Sequence, residues 1–567
     1  MDLQRHTFRF SAPRPGEGRT PVSPRRRSRL PTLTTMLSCA GLWASVLNCA
    51  TAAAAPTALA ADRTIEDYLA RIPNDWPAAI QSVVVDADAV TISGQAPPAD
   101  APSWRLLELR PNNSLTDLAP VECVVVDHTT NSAFEAAVPR FVDGYDRLLS
   151  RWVVAAGDAD GQAEPRLLSA AKYADKLPTP ADRIDLQRQR PLSKKGLAAV
   201  DGPASYSDVV ELGIHNITIN LPLALLLARP DAPDALQHEY CGHTYPINPG
   251  DVARLDRVLQ FADQHDIVSS VIILAPRLPA DDSRHAALTH PDAVDGHYSL
   301  ANVATAEGVA TYAALIDFLA QRYSRPDRQF GRIDNWIVHN EVDSAWVWTN
   351  AGERSVVSFV EQYVKSLRIV DLIARTYHPG ARAFVSLDHY WTLTHEPDPQ
   401  RYYPGRRVLE LLCAWGRAEG NFPWGVAHHP YPENLLKPDT WNDATARDDV
   451  DTPRVTFKNI GVLMQWLQQP EHRYRGAVRP VLLSEQGFHT PDDSTASQQL
   501  QCRALRYAWE QVAPYDAIEA FHYHRRMDHP AEGGLKCGLR MLADPATGAD
   551  GARKLGWYTW QELGQAP

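Results

Sequence analysis

Residues 335–346 read NWIVHNEVDSAW, and this stretch gives the first strong indication of the fold. Trp336, Ile337 and Val338 predict a strand in the hydrophobic core. Asn340 and Glu341 follow directly, and burying a carboxylate is costly unless another group pairs with it or uses it. The stretch therefore predicts a core strand whose end carries functional side chains.

Seven other segments repeat this pattern, and helical segments separate them. The eight candidate strands cover residues 195–200, 215–221, 268–275, 333–340, 381–387, 424–429, 479–485 and 518–524. Segments between them, such as VARLDRVLQFADQH, place apolar residues three and four positions apart, as amphipathic helices do. This alternation predicts an α/β fold of the (β/α)8 TIM barrel type. A doubly wound open sheet is the alternative, but no Gly-rich phosphate loop follows the first strand.

The sequence before the barrel predicts two further units. Residues 77–170 alternate short strands with turn-rich pieces such as QAPPADAPS, which favours a small Ig-like β-sandwich in an accessory role. Within residues 1–60, four Arg between positions 25 and 29 precede the apolar run MLSCAGLWASVLNCATAAAA. This pattern predicts a secretory signal peptide cleaved near Ala60 or Ala61, with a membrane anchor as the alternative. The expected organisation is a signal peptide (1–60), a β-sandwich (77–170) and a catalytic barrel (190–567) in a secreted or periplasmic protein.

Charge and cysteine content limit the possible partners. The net charge of −12 becomes −18 once residues 1–60 are removed, because they hold eight Arg against Asp2 and Glu17. A strongly acidic protein disfavours nucleic acid and anionic membrane surfaces, and no later apolar stretch predicts stable membrane insertion. The five remaining Cys are scattered without CxxC spacing, which disfavours a zinc site. A single bridge between Cys241 and Cys537 stays open.

Polar residues concentrate at the ends of the predicted strands, where TIM barrels carry their active sites. Glu341 ends the fourth strand and Glu485 ends the seventh, so the two carboxylates should face each other across the barrel mouth. Cleavage of a glycosidic bond needs two such groups, one protonated and one ionised.

The motifs HNE on the fourth strand and LLSEQG on the seventh resemble those of the clan A retaining glycoside hydrolases. The resemblance implies that Glu341 is the general acid/base, Glu485 the nucleophile and Asn340 a hydrogen-bond donor to the sugar. It also implies a carboxyl separation of about 5–5.5 Å. The eighth strand departs from the clan, because FHYHRRMDH stands where many members have a Trp. The chain therefore resembles an uncharacterised secreted bacterial family that is related to this clan.

Further residues near the strand ends are candidates for binding a carbohydrate substrate. His429 or Tyr431 could donate a hydrogen bond to the nucleophile, and Trp residues offer flat faces for sugars. Asp388 is a candidate for a third catalytic acid or for a loop cap, and the cap is favoured. The predicted substrate-binding set is Asn340, His429, Tyr431, Trp346, Trp348, Asp388, Trp391, His522 and His524.

Two other functions remain open at this stage. One is a non-catalytic carbohydrate-binding or assembly protein that retains the barrel. The other is a metal-dependent hydrolase, because His428, His429, His522 and His524 lie at strand ends. The first strand has no HxH motif, so the sequence predicts no metal and no cofactor; the oligomeric state is undetermined.

Overall fold

The computed structural model describes residues 54–71, 75–98, 103–118, 122–124, 133–156 and 166–564. Most of the predicted signal peptide lies outside these residues. Within them, no helix is long and apolar enough to cross a membrane. Cys241 and Cys537 both carry free thiols, so the bridge considered between them is not formed.

The N-terminal part contains one helix and two small antiparallel sheets. Its elements are α1 (Ala54–Ala70), β1 (Ala79–Val85), β2 (Ala89–Gln95), β3 (Trp104–Leu109), β4 (Glu122–Val124), β5 (Ala133–Pro139), β6 (Phe141–Val142), β7 (Tyr145–Asp146), β8 (Arg151–Ala156) and β9 (Arg166–Leu167). One sheet has the order β1-β2-β5 and the other β4-β3-β8-β9, while β6 and β7 form a hairpin. In β5, buried and exposed residues alternate, which is typical of a strand with one face on the core. The small antiparallel sheets are as predicted, whereas the domain boundaries stay predictions.

Eight of the following eleven strands build a closed parallel barrel. They are β10 (Lys195–Leu197), β11 (Asn216–Pro222), β12 (Leu236–Tyr240), β13 (His243–Ile247), β14 (Val268–Pro276), β15 (Tyr298–Ser299), β16 (Asn335–Val338), β17 (Arg382–Leu387), β18 (Gly425–His428), β19 (Val481–Gln486) and β20 (Ile518–Tyr523). β12 and β13 pair as a hairpin, and β15 adds antiparallel to the end of β14. The other eight pair in parallel in the order β10-β11-β14-β16-β17-β18-β19-β20, and β20 returns to β10. The predicted TIM barrel is confirmed.

Helices surround this barrel. They are α2 (Tyr206–Glu211), α3 (Leu223–Leu226), α4 (Pro249–Gln264), α5 (His285–Leu288), α6 (Ala306–Tyr323), α7 (Ala345–Trp348), α8 (Val356–Tyr377), α9 (Gly405–Glu419), α10 (Gly461–Leu467), α11 (Thr495–Val512) and α12 (Leu555–Glu562). The long helices start at side-chain caps, since Thr305, Ser355 and Ser494 each accept a backbone N–H from the first turn of α6, α8 and α11. Such caps satisfy amide groups that lack a partner within the helix.

The barrel interior changes from apolar to polar toward the C-terminal ends of the strands. Side chains at every second position of a strand share a face. One buried apolar cluster inside the barrel includes Ile337, Phe384, Ala427, Leu482 and Ala520. Two positions further along four of these strands lie Ser386, His429, Ser484 and His522, all fully buried. The barrel therefore carries a polar layer directly above its apolar floor.

A buried charge network joins the N-terminal sheets to the barrel. Arg151 on β8 is 1% exposed, and its Nη1 lies 2.5 Å from Oε1 of Glu419 at the end of α9. Tyr68 on α1 donates a 3.1 Å hydrogen bond to the same carboxylate. Glu361 and Lys365 on α8 form a second buried pair at 2.7 Å, and Arg151 lies 3.6 Å from Glu361. The N-terminal part and the barrel thus share a desolvated interface.

Candidate active site

The end of the fourth barrel strand, β16, has an unusual backbone conformation. His339 and Glu341 have φ values of 66° and 36°, in the left-handed region that non-glycine residues rarely adopt. Such conformations cost on the order of 1–3 kcal/mol and persist where surrounding contacts enforce them. Here the Glu341 amide donates to Oγ of Ser386 at 3.0 Å, and Nε2 of His339 lies 2.9 Å from Oγ of Ser366. These contacts also explain why regular strand structure ends at Val338.

The Glu341 side chain lies over the polar layer of the barrel. Its Oε1 is 2.8 Å from Nδ1 of His429, and the side chain is only 13% exposed. Burial raises the pKa of Glu341 to about 7, together with the negative charge of Asp388 and, to a smaller extent, that of Glu485. The hydrogen bond and charge of His429 act in the opposite direction and lower it. A carboxyl group with this pKa can hold a proton near neutral pH and release it during a reaction.

Glu485 stands at the end of the seventh barrel strand, β19. Tyr431 donates a hydrogen bond to Oε1 of Glu485 at 3.0 Å. His429 contacts both Glu341 and Ser484, the residue directly before Glu485, so the two carboxyl groups occupy the same end of the barrel. The structure thus brings together the two residues predicted to be catalytic.

The sequence left open whether His429 or Tyr431 contacts the predicted nucleophile, and the structure separates the two. Tyr431 bonds Glu485, whereas His429 bonds Glu341 and not Glu485. The second ring nitrogen of His429 lies 2.9 Å from Oγ of Ser484. Burial would lower the pKa of His429, but the hydrogen bond and charge of Glu341 raise it. Glu341 and His429 therefore titrate as a coupled pair.

Two aspartates lie beside Glu341. Asp388, at the end of the fifth strand, donates its backbone N–H to Oδ1 of Asp343 at 3.0 Å. Burial raises the pKa of Asp343 well above its usual range, and the Asp388 charge adds to this effect. Burial would also raise the pKa of Asp388, but the charge and hydrogen bonds of His389 lower it instead.

Four residues of the site were not among the predicted site residues: Asp343, Ser386, His389 and Ser484. Ser386 and Ser484 lie inside predicted strands, two positions beyond apolar residues that face the barrel interior. The two-residue period of a strand, continued through each predicted strand end, would have pointed to both serines. Asp343 and His389 lie just past strand ends, where the strand-end polarity that marked Glu341 and Asp388 also applies to them.

The predicted sugar-binding tryptophans differ in their exposure. Trp346 and Trp348 are half-buried: the Arg401 guanidinium lies 4.0 Å from the Trp346 ring centroid, and Trp348 packs on Tyr298 at 5.2 Å. Trp391, by contrast, is 2% exposed, and its indole N–H donates to the Val450 carbonyl at 2.9 Å. Trp391 thus exposes almost none of its ring surface, and its role in sugar binding stays a prediction.

The remaining predicted residues are buried. Asn340 is 5% exposed at the end of β16. His522 is fully buried, donates Nδ1–H to the Leu483 carbonyl at 3.1 Å, and has its pKa lowered to about 4 by burial. His524 lies 3.4 Å from Glu532, which also pairs with Arg525. In the described part of the chain, no group of three or more His, Cys, Asp or Glu side chains is placed to hold a metal ion.

Comparison with known proteins gives a family and several distant structural similarities. No curated protein matches the chain. Similar solved structures include a family 39 glycoside hydrolase from the gut symbiont Bacteroides cellulosilyticus WH2, with 13% identity over 85% of this chain and 81% of that one and a TM-score of 0.43. An exo-β-1,4-mannosidase from Opitutaceae bacterium strain TAV5 has 14% identity over 68% and 61% of the two chains and a TM-score of 0.40. A β-glucosidase has 13% identity over 66% and 97% and a TM-score of 0.41.

These solved structures are glycoside hydrolases, the class whose motifs the sequence resembles. At such identities and TM-scores, the similarities do not bear on what this chain does. Residues 187–567 match the model described as "Family of unknown function (DUF5722)". Because this match spans well over half of the sequence, the chain belongs to the DUF5722 family.

Proposed function

We propose that this protein is a retaining glycoside hydrolase that cleaves a glycosidic bond in an oligo- or polysaccharide. The observation that carries the proposal is the pairing of Glu341 and Glu485 at one end of the barrel in different environments. Glu341 is largely buried with a pKa raised to about 7, whereas one oxygen of Glu485 accepts a hydrogen bond from Tyr431. Retaining glycosidases need this division between a proton donor and an ionised nucleophile.

In the first step, Glu341 donates its proton to the glycosidic oxygen while the bond from that oxygen to the anomeric carbon breaks. An oxygen of Glu485 attacks the same carbon and forms a covalent ester with the sugar. The Tyr431 hydroxyl holds Oε1 of Glu485 and fixes the orientation of the carboxylate. His429 lies 2.8 Å from Glu341 and can donate a hydrogen bond to the carboxylate left after proton transfer.

In the second step, the Glu341 carboxylate removes a proton from a water molecule. The water oxygen attacks the anomeric carbon, the ester bond to Glu485 breaks, and Glu341 regains its proton. Both displacements invert the carbon, so the product keeps the configuration of the substrate. In this proposal Asn340 donates to a sugar hydroxyl, while Trp346 and Trp348 provide ring surfaces at the rim.

We also propose that the protein is exported by its N-terminal segment. Cleavage near Ala60 or Ala61 would retain Ile65 and Tyr68, which lie in the hydrophobic core. It would also retain Asp62, whose carboxylate accepts a 2.7 Å hydrogen bond from Ser355 at the start of α8. N-terminal sequencing of the protein recovered outside the cytoplasm tests this cleavage position.

The proposed activity can be tested with a panel of aryl glycosides and polysaccharides. Proton NMR of the first-formed product should show the anomer with the configuration of the substrate. Glu485→Gln should reduce hydrolysis by several orders of magnitude while sugar affinity remains. Glu510→Gln, on the exposed face of α11, is the matched control for an acid-to-amide change.

Two results would contradict the proposal. Inversion at the anomeric carbon would refute the roles assigned to the two glutamates. Sugar binding without turnover in the wild type, unaffected by Glu485→Gln, would instead indicate a carbohydrate-binding protein.

A further inference from the structure

Three hydrogen bonds join the ends of the fourth and fifth barrel strands. The amides of Glu341 and Val342 donate to the hydroxyl and carbonyl oxygens of Ser386, each at 3.0 Å, and the amide of Asp388 donates to Asp343 at 3.0 Å. The strands themselves pair in parallel up to Val338 and Val385. Glu341 and Asp388 therefore project from two adjacent strand ends that cannot move independently.

Asp388 is held by contacts that stabilise its charged form. The His389 amide donates to Oδ1 of Asp388 at 2.6 Å, and Nδ1 of His389 lies 3.0 Å from the same oxygen. Asp388 is 8% exposed, so water screens its charge poorly. In contrast, Asp343 is 1% exposed, and its Oδ2 has no hydrogen-bond partner among the residues that the structure describes. The surroundings of Asp343 favour its neutral form, whereas those of Asp388 favour its ionised form.

We infer that Asp388 is a positioning residue for the acid/base: it keeps a fixed negative charge beside Glu341 and thereby raises the proton affinity of Glu341 in both steps of the reaction. This inference deepens the proposed function and rests on it. The charge of Glu485 disappears when that residue is esterified, so it no longer raises the proton affinity of Glu341 when the Glu341 carboxylate takes a proton from water. Asp388 forms no bond to the sugar and remains charged in both steps, which also makes Glu341 a stronger base toward water.

Other charged or titratable groups surround the pair and must be kept constant in a test. The groups that act on Glu341 or Asp388 are Asp343 on the loop after β16, His389, Tyr390 and His395 after β17, His428 and His429 on and after β18, and Glu485 on β19. Burial raises the pKa of Glu341 first, and the Asp388 charge contributes the next largest effect. Removal of the Asp388 charge should therefore lower the pKa of Glu341, while burial continues to raise it.

The test compares Asp388→Asn with Asp343→Asn by infrared titration of the Glu341 carboxyl group. The carbonyl band of protonated Glu341 is assigned as the band missing in Glu341→Gln. Asp388→Asn should move the midpoint of this band down by about one pH unit or more, as expected for loss of a nearby charge. Burial raises the pKa of Asp343 and favours its neutral form, so Asp343→Asn should move the midpoint much less than Asp388→Asn. Asp388→Glu, which restores the charge, should bring the midpoint back toward the wild-type value.

An unchanged midpoint in Asp388→Asn, or an equal change in Asp343→Asn, would overturn the inference. If Asp388→Asn does not fold, Asp388→Ser carries the same prediction, because its hydroxyl can still accept the His389 amide. Where a hydrolysed glycoside is found, the alkaline limb of kcat/KM should shift with the midpoint; an effect confined to KM would mark Asp388 as a sugar ligand and refute the inference. The infrared titration needs no turnover, so absence of glycosidase activity would refute the proposed function alone.

Discussion

The buried acid Glu341 should reduce the stability of this protein at neutral pH, and Glu341→Gln should remove that cost. Burial, the Asp388 charge and the Glu485 charge raise the pKa of Glu341 from 4.5 to about 7. The native state therefore keeps the proton up to about pH 7, while the unfolded chain releases it near 4.5. Between these values folding takes up a proton, and the free energy of unfolding falls as the pH rises.

The size of this effect follows from the two pKa values. Each pH unit between them corresponds to about 1.4 kcal/mol, so the raised pKa of Glu341 lowers the free energy of unfolding by about 3 kcal/mol at pH 8 and about 1 kcal/mol at pH 5. A glutamine keeps the shape of the side chain and never ionises. Glu341→Gln should thus gain about 2 kcal/mol more in unfolding free energy at pH 8 than at pH 5.

The measurement is urea unfolding of wild type and Glu341→Gln at pH 5, 6, 7 and 8, followed by circular dichroism. Glu510→Gln serves again as the control, because it makes the same chemical change at an exposed position on α11. Glu341→Gln should also lose hydrolytic activity, so stability and activity change in opposite directions. A stability difference that is independent of pH, or one that grows toward low pH, would refute the reasoning.

Three further predictions concern other contacts. Tyr431→Phe should lower kcat/KM roughly 10- to 100-fold without unfolding the protein, since a hydrogen bond to a charged group contributes about 1.5–3 kcal/mol; a rate within twofold of wild type would contradict the role of this hydroxyl. Arg151→Met should destabilise the protein by about 3–5 kcal/mol in urea unfolding, because Glu419 would remain buried without its cation; little change would mean that the N-terminal sheets do not depend on this pair. Trp391→Ala should cost about 3–5 kcal/mol of stability, while the sugar affinity of the folded variant stays unchanged; a specific loss of affinity would show that Trp391 binds the sugar.

The barrel was predictable because each strand and helix carries its own local pattern. The predicted strands coincide with β10, β11, β14, β16, β17, β18, β19 and β20, with differences only at their ends. The first strand was predicted to reach residue 200 but ends at Leu197, since Ala199 has a φ of 55° that breaks the regular pairing. Backbone geometry of this kind depends on tertiary contacts and leaves no clear mark in an apolar segment.

The candidate site was predictable only in part. Glu341 and Glu485 stand out because each ends an apolar strand, and strand order then places them at the same end of the barrel. Which partner each carboxylate has could not be predicted: His429 and Tyr431 lie two positions apart, yet one bonds Glu341 and the other Glu485. Residues two positions apart in an extended segment point to the same side, so a local sequence pattern cannot tell which carboxylate each one contacts.

The sequence alone determined the barrel, the order of its strands and the two glutamates at their ends, because hydrophobic periodicity and strand-end polarity are properties of short segments. Only the tertiary structure decided which carboxyl group is desolvated and which neighbour is charged. It placed Asp388 beside Glu341, paired Asp388 with His389, and buried Trp391 away from the surface. Electric fields and burial arise from groups far apart in the chain, so the acidity of Glu341 is a property of the folded barrel and not of its own segment.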